Sequence, residues 1–178
     1  MHAMQQAWQL FGKWDLSLCL SFNRLGRFWP LTGLLRACSR LGDGVFWYSL
    51  MAVLPLHYGW QGLQASLHML LVAGLGLLIY KWLKTRTVRP RPCAVSQHVT
   101  QHTAALDQFS FPSGHTLHAV CFSTVLLAYF PELALLVVPF TFLVAVSRPV
   151  LGLHYPSDVL AGAALGYLLA EGSLLLLT

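Results

Sequence analysis

The sequence predicts an all-α fold: a polytopic membrane helix bundle of about five transmembrane helices, led by interfacial helices at its N-terminus. Three observations carry this. Of 178 residues, 56% are hydrophobic. Only 10% are charged, against about 25% in an ordinary soluble domain. Mean hydropathy is +0.61, and long apolar segments recur between short polar ones. Too few charges remain to cover a soluble surface. The same numbers exclude a disordered chain, a collagen and a small disulfide scaffold. The expected organisation is one membrane-embedded unit over 1–178, an amphipathic segment 1–42 leading into a bundle over 43–178.

The elements follow in chain order. The first thirteen residues lack the basic start, apolar stretch and small-residue site of a cleavable leader, so none is expected. Residues 14–40 are amphipathic, interrupted by Asp15, Arg24, Arg27, Arg36 and Arg40. They read as one or two interfacial helices broken near Pro30. Residues 39–44 read as a turn. Apolar segments then run over about 45–56, 63–83, 114–130, 133–146 and 159–177. Several are shorter than the roughly 20 residues of a perpendicular span, so tilt or frayed ends must complete them. Trp47, Tyr48, Trp60, Tyr80, Trp82 and Tyr129 lie near segment ends, as interfacial aromatics do.

Counting crossings brings polar segments 84–92, 112–115 and 147–158 to one membrane face. All eleven Lys and Arg residues map to that face or to the N-terminal segment flanking it. The formal net charge is +5, which suits anionic lipid or a phosphorylated substrate. The cations lie between apolar spans, so no nucleic-acid partner is expected. Cys19, Cys38, Cys93 and Cys121 show no metal-ligand spacing and read as packing residues.

Chemistry concentrates in those three segments. Lys84, Arg86, Arg89 and Arg91 crowd together and repel one another unless an anion neutralises them. Arginine forks match phosphate oxygens. Pro112-Ser113-Gly114-His115 opens a span, and a helix N-terminus attracts phosphate. Ser113 can cap that helix or donate its hydroxyl, and Gly114 admits an anion to the backbone. In the third segment Arg148 ends an apolar span and needs an anionic partner. His154 and Asp158 stand four apart, so that Asp158 can orient one imidazole nitrogen and free the other. Together these groups can hold and transfer a phosphoryl group. One histidine would attack phosphorus and the other protonate the leaving oxygen. No carboxylate cluster is evident for a metal, so no metal and no cofactor is expected.

The pattern K-x6-RP, PSGH and SR-x5-H-x3-D resembles the type 2 phosphatidic acid phosphatase superfamily. Lys84, Arg91 and Pro92 fill the first block, Pro112 to His115 the second, and Ser147, Arg148, His154 and Asp158 the third. The resemblance implies a metal-independent phosphatase working through a phosphohistidine. His154 would be the nucleophile, Asp158 its orienting partner and His115 the general acid. Lys84, Arg91, Ser113, Gly114 and Arg148 would bind phosphate. It also implies a membrane lipid phosphate or diphosphate as substrate and the bilayer as surroundings. An isoprenoid diphosphate such as undecaprenyl diphosphate is favoured, with phosphatidylglycerophosphate, phosphatidic acid or lipid A as alternatives. The expected location is a bacterial inner membrane with the site on the periplasmic face, although Lys and Arg bias alone points to the cytoplasm. Competing readings are a vanadium-type haloperoxidase, disfavoured by the apolar spans, and a non-catalytic lipid-phosphate binder. His118 reads as a core histidine and His98, His102 and Asp107 as solvated loop residues. His57, His68 and Glu171 read as structural, on or near the far side.

Overall fold

The computed structural model describes the backbone of residues 2–177 other than 106, and the side chains of residues 10–176 other than 106. Among the described residues the chain is almost wholly helical and has no strand; one isolated bridge pairs Pro90 with Phe109. The described residues form seven α-helices in order: α1 His2–Leu25, α2 Trp29–Arg40, α3 Phe46–Thr87, α4 Pro92–Val95, α5 Gly114–Tyr129, α6 Ala134–Val150 and α7 Pro156–Leu177.

The N-terminal break falls at residues 26–28, just before Pro30, which sits in the first turn of α2. Proline is tolerated there because that N–H has no partner in a helix. Thr32 Oγ1 closes the corner by donating to the Gly26 carbonyl at 2.7 Å. The expected turn over 39–44 is not open. A π-helical segment, Leu41–Val45, carries α2 into α3, with Gly44 at φ 134°. A positive-φ glycine puts a kink between the two helices there.

Helix α3 doubles back on itself. Gly59 adopts φ 59°, ψ −131°, a conformation open to glycine. Ser66 Oγ then donates to the Met51 carbonyl at 2.9 Å. In a straight helix those residues would lie roughly 22 Å apart, so the arms 46–58 and 60–87 run antiparallel.

Among the described residues, three stretches are long and apolar enough to cross a membrane: Trp29–Thr87, Pro131–Val150 and Pro156–Leu176. The first two apolar segments expected from sequence both fall within the first stretch. The third expected segment is α5, whose 16 residues are fewer than in any of these stretches. It is the enclosed helix, packed by α3, α6 and α7, with Leu117, Ala119, Cys121, Val125 and Leu126 fully buried. Gly162 and Gly166 let α7 lie backbone to backbone on α5, since a Cβ at either would strike the carbonyls of Ser113 or Leu117. Small residues serve that purpose where lipid supplies no hydrophobic drive between helices. The outer faces carry exposed Leu71, Leu135 and Leu176, as an integral membrane protein requires. The far end is tied by His68, which bonds Tyr129 Oη at 3.1 Å and Ser173 Oγ at 2.8 Å.

Candidate active site

Where α3 ends, Val88 turns left-handed at φ 47°. The chain then crosses the end of the bundle, and Arg91 is carried inward to 5% exposure. Its guanidinium is held on three sides. Nη1 donates to the Leu153 carbonyl at 2.6 Å, Nε to the Asp107 carbonyl at 3.0 Å and Nη2 to Asp107 Oδ1 at 2.6 Å. Lys84 Nζ meets the other oxygen of the same carboxylate at 2.5 Å and the Phe109 carbonyl at 3.2 Å. Asp107 therefore bridges two of the expected phosphate ligands, which corrects its reading as a solvated loop residue. A carboxylate substitutes for the anion that two adjacent cations require. Burial would raise its carboxyl, but the ion pairs with Lys84 and Arg91 hold it below the ordinary range.

Arg148, almost fully buried, closes the cationic end. Nη1 donates to Ser39 Oγ at 2.5 Å, while its buried Nε has no hydrogen-bond partner. A buried, unpartnered guanidinium N–H is costly, and Arg148 lines the cavity described below.

His154 sits between these cations, 1% exposed. Its Nε2 lies 3.4 Å from Arg91 Nη1. Its Nδ1 lies 3.6 Å from Asp158 Oδ2, longer than a hydrogen bond, and has no partner. The expected His154–Asp158 bond is thus lined up but not closed. Asp158 instead accepts from the Tyr155 N–H at 2.9 Å and from Arg89 at 2.6 Å. Burial first, then the charges of Arg148, Arg91 and Lys84, push the His154 imidazole well below its ordinary pKa. It is therefore neutral and unprotonated on one nitrogen at neutral pH.

Helix α5 starts at the same place. Its first residues, Gly114 and His115, line the cavity, and His115 Nε2 pairs with Asp43 Oδ1. That contact requires the proton on Nε2. Ser113 faces away: it is fully buried, its hydroxyl pairs with Thr116 Oγ1 at 3.0 Å and its N–H donates to the Asp158 carbonyl. Ser113 does not line the cavity, so here it packs α5 on α7. His118, expected in the core, also reaches the cavity wall and bonds the Gly114 carbonyl at 2.8 Å.

The cavity measures about 690 Å³. One end is cationic, with Lys84, Arg91 and Arg148 beside His115 and His154. Leu70, Ala73, Leu77 and Tyr80, one face of the second arm of α3, continue it as an apolar wall. Among the described residues, no group of three or more His, Cys, Asp or Glu side chains is placed to hold a metal ion.

Residues 65–177 match the PAP2 superfamily. The chain belongs to that family. Phosphatidylglycerophosphatase B of Bacillus subtilis (strain 168) is 36% identical in an alignment 142 residues long that covers 72% of this chain. The chain spans 60% of the length of that curated relative. Among solved structures, the first transmembrane PAP2 type phosphatidylglycerolphosphate phosphatase from Bacillus subtilis superposes with a TM-score of 0.72 at 28% identity, covering 99% of this chain and 87% of that one. LpxE from Aquifex aeolicus superposes with a TM-score of 0.78 at 27% identity, covering 89% and 93%.

This PAP2 protein brings every aspartate in its sequence to one end: Asp15, Asp43, Asp107 and Asp158. Sequence reasoning gave a role only to Asp158. The one available signal was bulk scarcity, because a chain with so few acids in an apolar setting keeps each for a cation.

Proposed function

We propose that this chain is a lipid phosphate phosphatase that works without a metal and passes the phosphoryl group through His154. The observation that supports it best is the buried His154 imidazole, its Nε2 3.4 Å from Arg91 Nη1, at the cationic end of a cavity whose other wall is apolar. At the cationic end Lys84, Arg91 and Arg148 carry three positive charges against the carboxylate of Asp107, while the carboxylate of Asp43 is paired with His115. The surplus matches a phosphoryl dianion.

The chemistry follows from these groups. His154 Nε2 attacks phosphorus, and a P–N bond forms as the bond to the lipid oxygen breaks. His115, as the imidazolium paired with Asp43, gives its Nε2 proton to that oxygen and is left neutral. Water then attacks the phosphohistidine, losing a proton to His115, and the P–N bond breaks to release phosphate. Asp158 steadies the imidazolium from Nδ1 by closing about 0.7 Å to the usual N–H···O length. The cations and the N–H groups at the start of α5 take the charge that collects on the equatorial oxygens. The first carbons of the lipid run along Leu70, Ala73, Leu77 and Tyr80.

The substrate class is a membrane lipid ending in a phosphate or diphosphate. The relatives' names favour phosphatidylglycerophosphate as headgroup; the sequence reading favoured an isoprenoid diphosphate such as undecaprenyl diphosphate. By its resemblance to the family, we propose a bacterial inner membrane with the site on the periplasmic face. The test is phosphate release by the purified protein, with chelator present, from phosphatidylglycerophosphate, undecaprenyl diphosphate, phosphatidic acid and lipid A. Turnover of at least one, lost in His154→Ala, is expected. A magnesium requirement, or turnover surviving in His154→Ala, would refute the mechanism.

A further inference from the structure

Helix α1 carries two unlike stripes. Leu10, Phe11, Trp14 and Leu18 are about half exposed or more, as a lipid-facing edge would be. On another side, Asp15, Cys19 and Asn23 recur every fourth residue and are buried. Each meets the connection between α6 and α7 that carries His154. Asp15 accepts from the Ser157 N–H at 3.1 Å and from the Ser157 hydroxyl. Cys19 Sγ lies 3.7 Å from the His154 carbonyl. Asn23 Nδ2 donates to the Val150 carbonyl at 3.0 Å. The stripe thus follows the connection from its far end to its near one.

An interfacial anchor has no use for a buried carboxylate, which is costly unless paired. Asp15 is paired through Arg89. Arg89 Nη2 bonds Asp15 Oδ2 at 2.6 Å, and its Nη1 bonds Asp158 Oδ1 at 2.6 Å and Ser157 Oγ at 2.8 Å. The guanidinium stacks over Tyr155 with 4.0 Å to the ring centroid. One arginine therefore joins a carboxylate from α1 to the carboxylate that faces His154 Nδ1. Asp15 and the rest of α1 lie outside the matched residues 65–177.

We propose that α1 braces the active site from outside its cavity, and that Asp15, acting through Arg89 and Ser157, is a positioning residue that sets Asp158 and His154 against the phosphoryl group. This rests on the phosphatase reading above. An unbraced connection would let the imidazole drift, and a displacement of about 1 Å can cost about a hundredfold in rate.

The test compares wild type, Asp15→Asn and Asp15→Glu in kcat, KM and thermal midpoint on the lipid phosphate turned over best. Asp15→Asn keeps shape and removes charge. Its kcat is expected to fall about ten- to a hundredfold, the range for losing the outer partner of a working imidazole. KM should stay within about twofold, because Lys84, Arg91 and Arg148 are untouched. Asp15→Glu should regain part of the lost kcat. An unchanged kcat in Asp15→Asn, or an equal loss in both variants that follows a lowered midpoint, would overturn the proposal. If Asp15→Asn does not fold, Ser157→Ala carries the same test: a kcat loss at constant KM supports it and wild-type kcat sinks it. If the wild type released phosphate from no lipid, the phosphatase reading would fail instead. The role of α1 is then read from orthovanadate affinity, which needs no turnover. About tenfold weaker binding in Asp15→Asn would support it, and equal affinity would overturn it.

Discussion

Asp107→Asn should make the protein bind inorganic phosphate more tightly. Asp107 holds Lys84 at 2.5 Å and Arg91 at 2.6 Å, so an incoming phosphate meets a negative charge already seated on its cations. Two anions bridged by one cation sit roughly 6 Å apart, and at an effective dielectric of about 20 they repel by about 3 kcal/mol. The Asp107 side chain is 38% exposed, and solvent screening at such a site removes about half of that. About 1.4 kcal/mol remains, or tenfold in affinity. The opposing effect is loosening of the two cations. It is small, because Lys84 keeps the Phe109 carbonyl, and Arg91 keeps the backbone carbonyls of Asp107 and Leu153. The assay is product inhibition of lipid phosphate turnover by inorganic phosphate, with direct calorimetric binding as a check. An inhibition constant about tenfold lower in Asp107→Asn is expected. An equal or higher constant would show that Asp107 organises the cations more than it competes with phosphate, and the reasoning would fail.

Two further outcomes follow from the structure. His154 is held below its ordinary pKa of 6.5, so it stays unprotonated as pH falls past that value. The acidic limb of kcat/KM should therefore lie well below pH 6.5, and a limb at or above it would contradict the burial and cation arguments. Linkage has the same sign: the unfolded chain takes up a proton near 6.5 that folded His154 refuses. Its contribution to stability is full above that pH and is lost as pH falls toward the folded value. The second outcome concerns α5 and α7. Gly166→Val drives a side chain into the Leu117 carbonyl, whereas a Cβ at Gly172 meets nothing within 4 Å. Gly166→Val should destabilise by about 1–3 kcal/mol, while Gly172→Ala should leave the thermal midpoint unchanged or raise it. Equal shifts in both would argue against close backbone packing of these helices.

The helical membrane character was legible in the sequence, because a backbone in lipid must satisfy its own hydrogen bonds and apolar stretches show where it does so. Lys84, Arg91, His115, Arg148 and His154 were legible as a convergent set, since charges flanking apolar segments stand out and the crossings sort them by side. They do line one cavity. Ser113 was expected at the phosphate and turned to Thr116, because backbone contact at Gly162 and Gly166 pulls the start of α5 onto α7. Asp107 read as solvated because its loop has no periodicity, and Asp43, inside what read as a turn, drew no role. Their partners are 23 or 16 residues away for Asp107, and for Asp15 74 and 142 residues away.

The sequence by itself therefore determined that a cluster of cations and two histidines would face one end of an apolar helix bundle. Hydropathy and charge are properties of single residues, and lipid sorts residues by them one at a time. Only the tertiary structure decided which carboxylate neutralises which cation, and that the N-terminal helix reaches the segment that carries His154. Ion-pair energy depends on separation through space and on the dielectric between the charges, and neither is written in the order of residues along the chain.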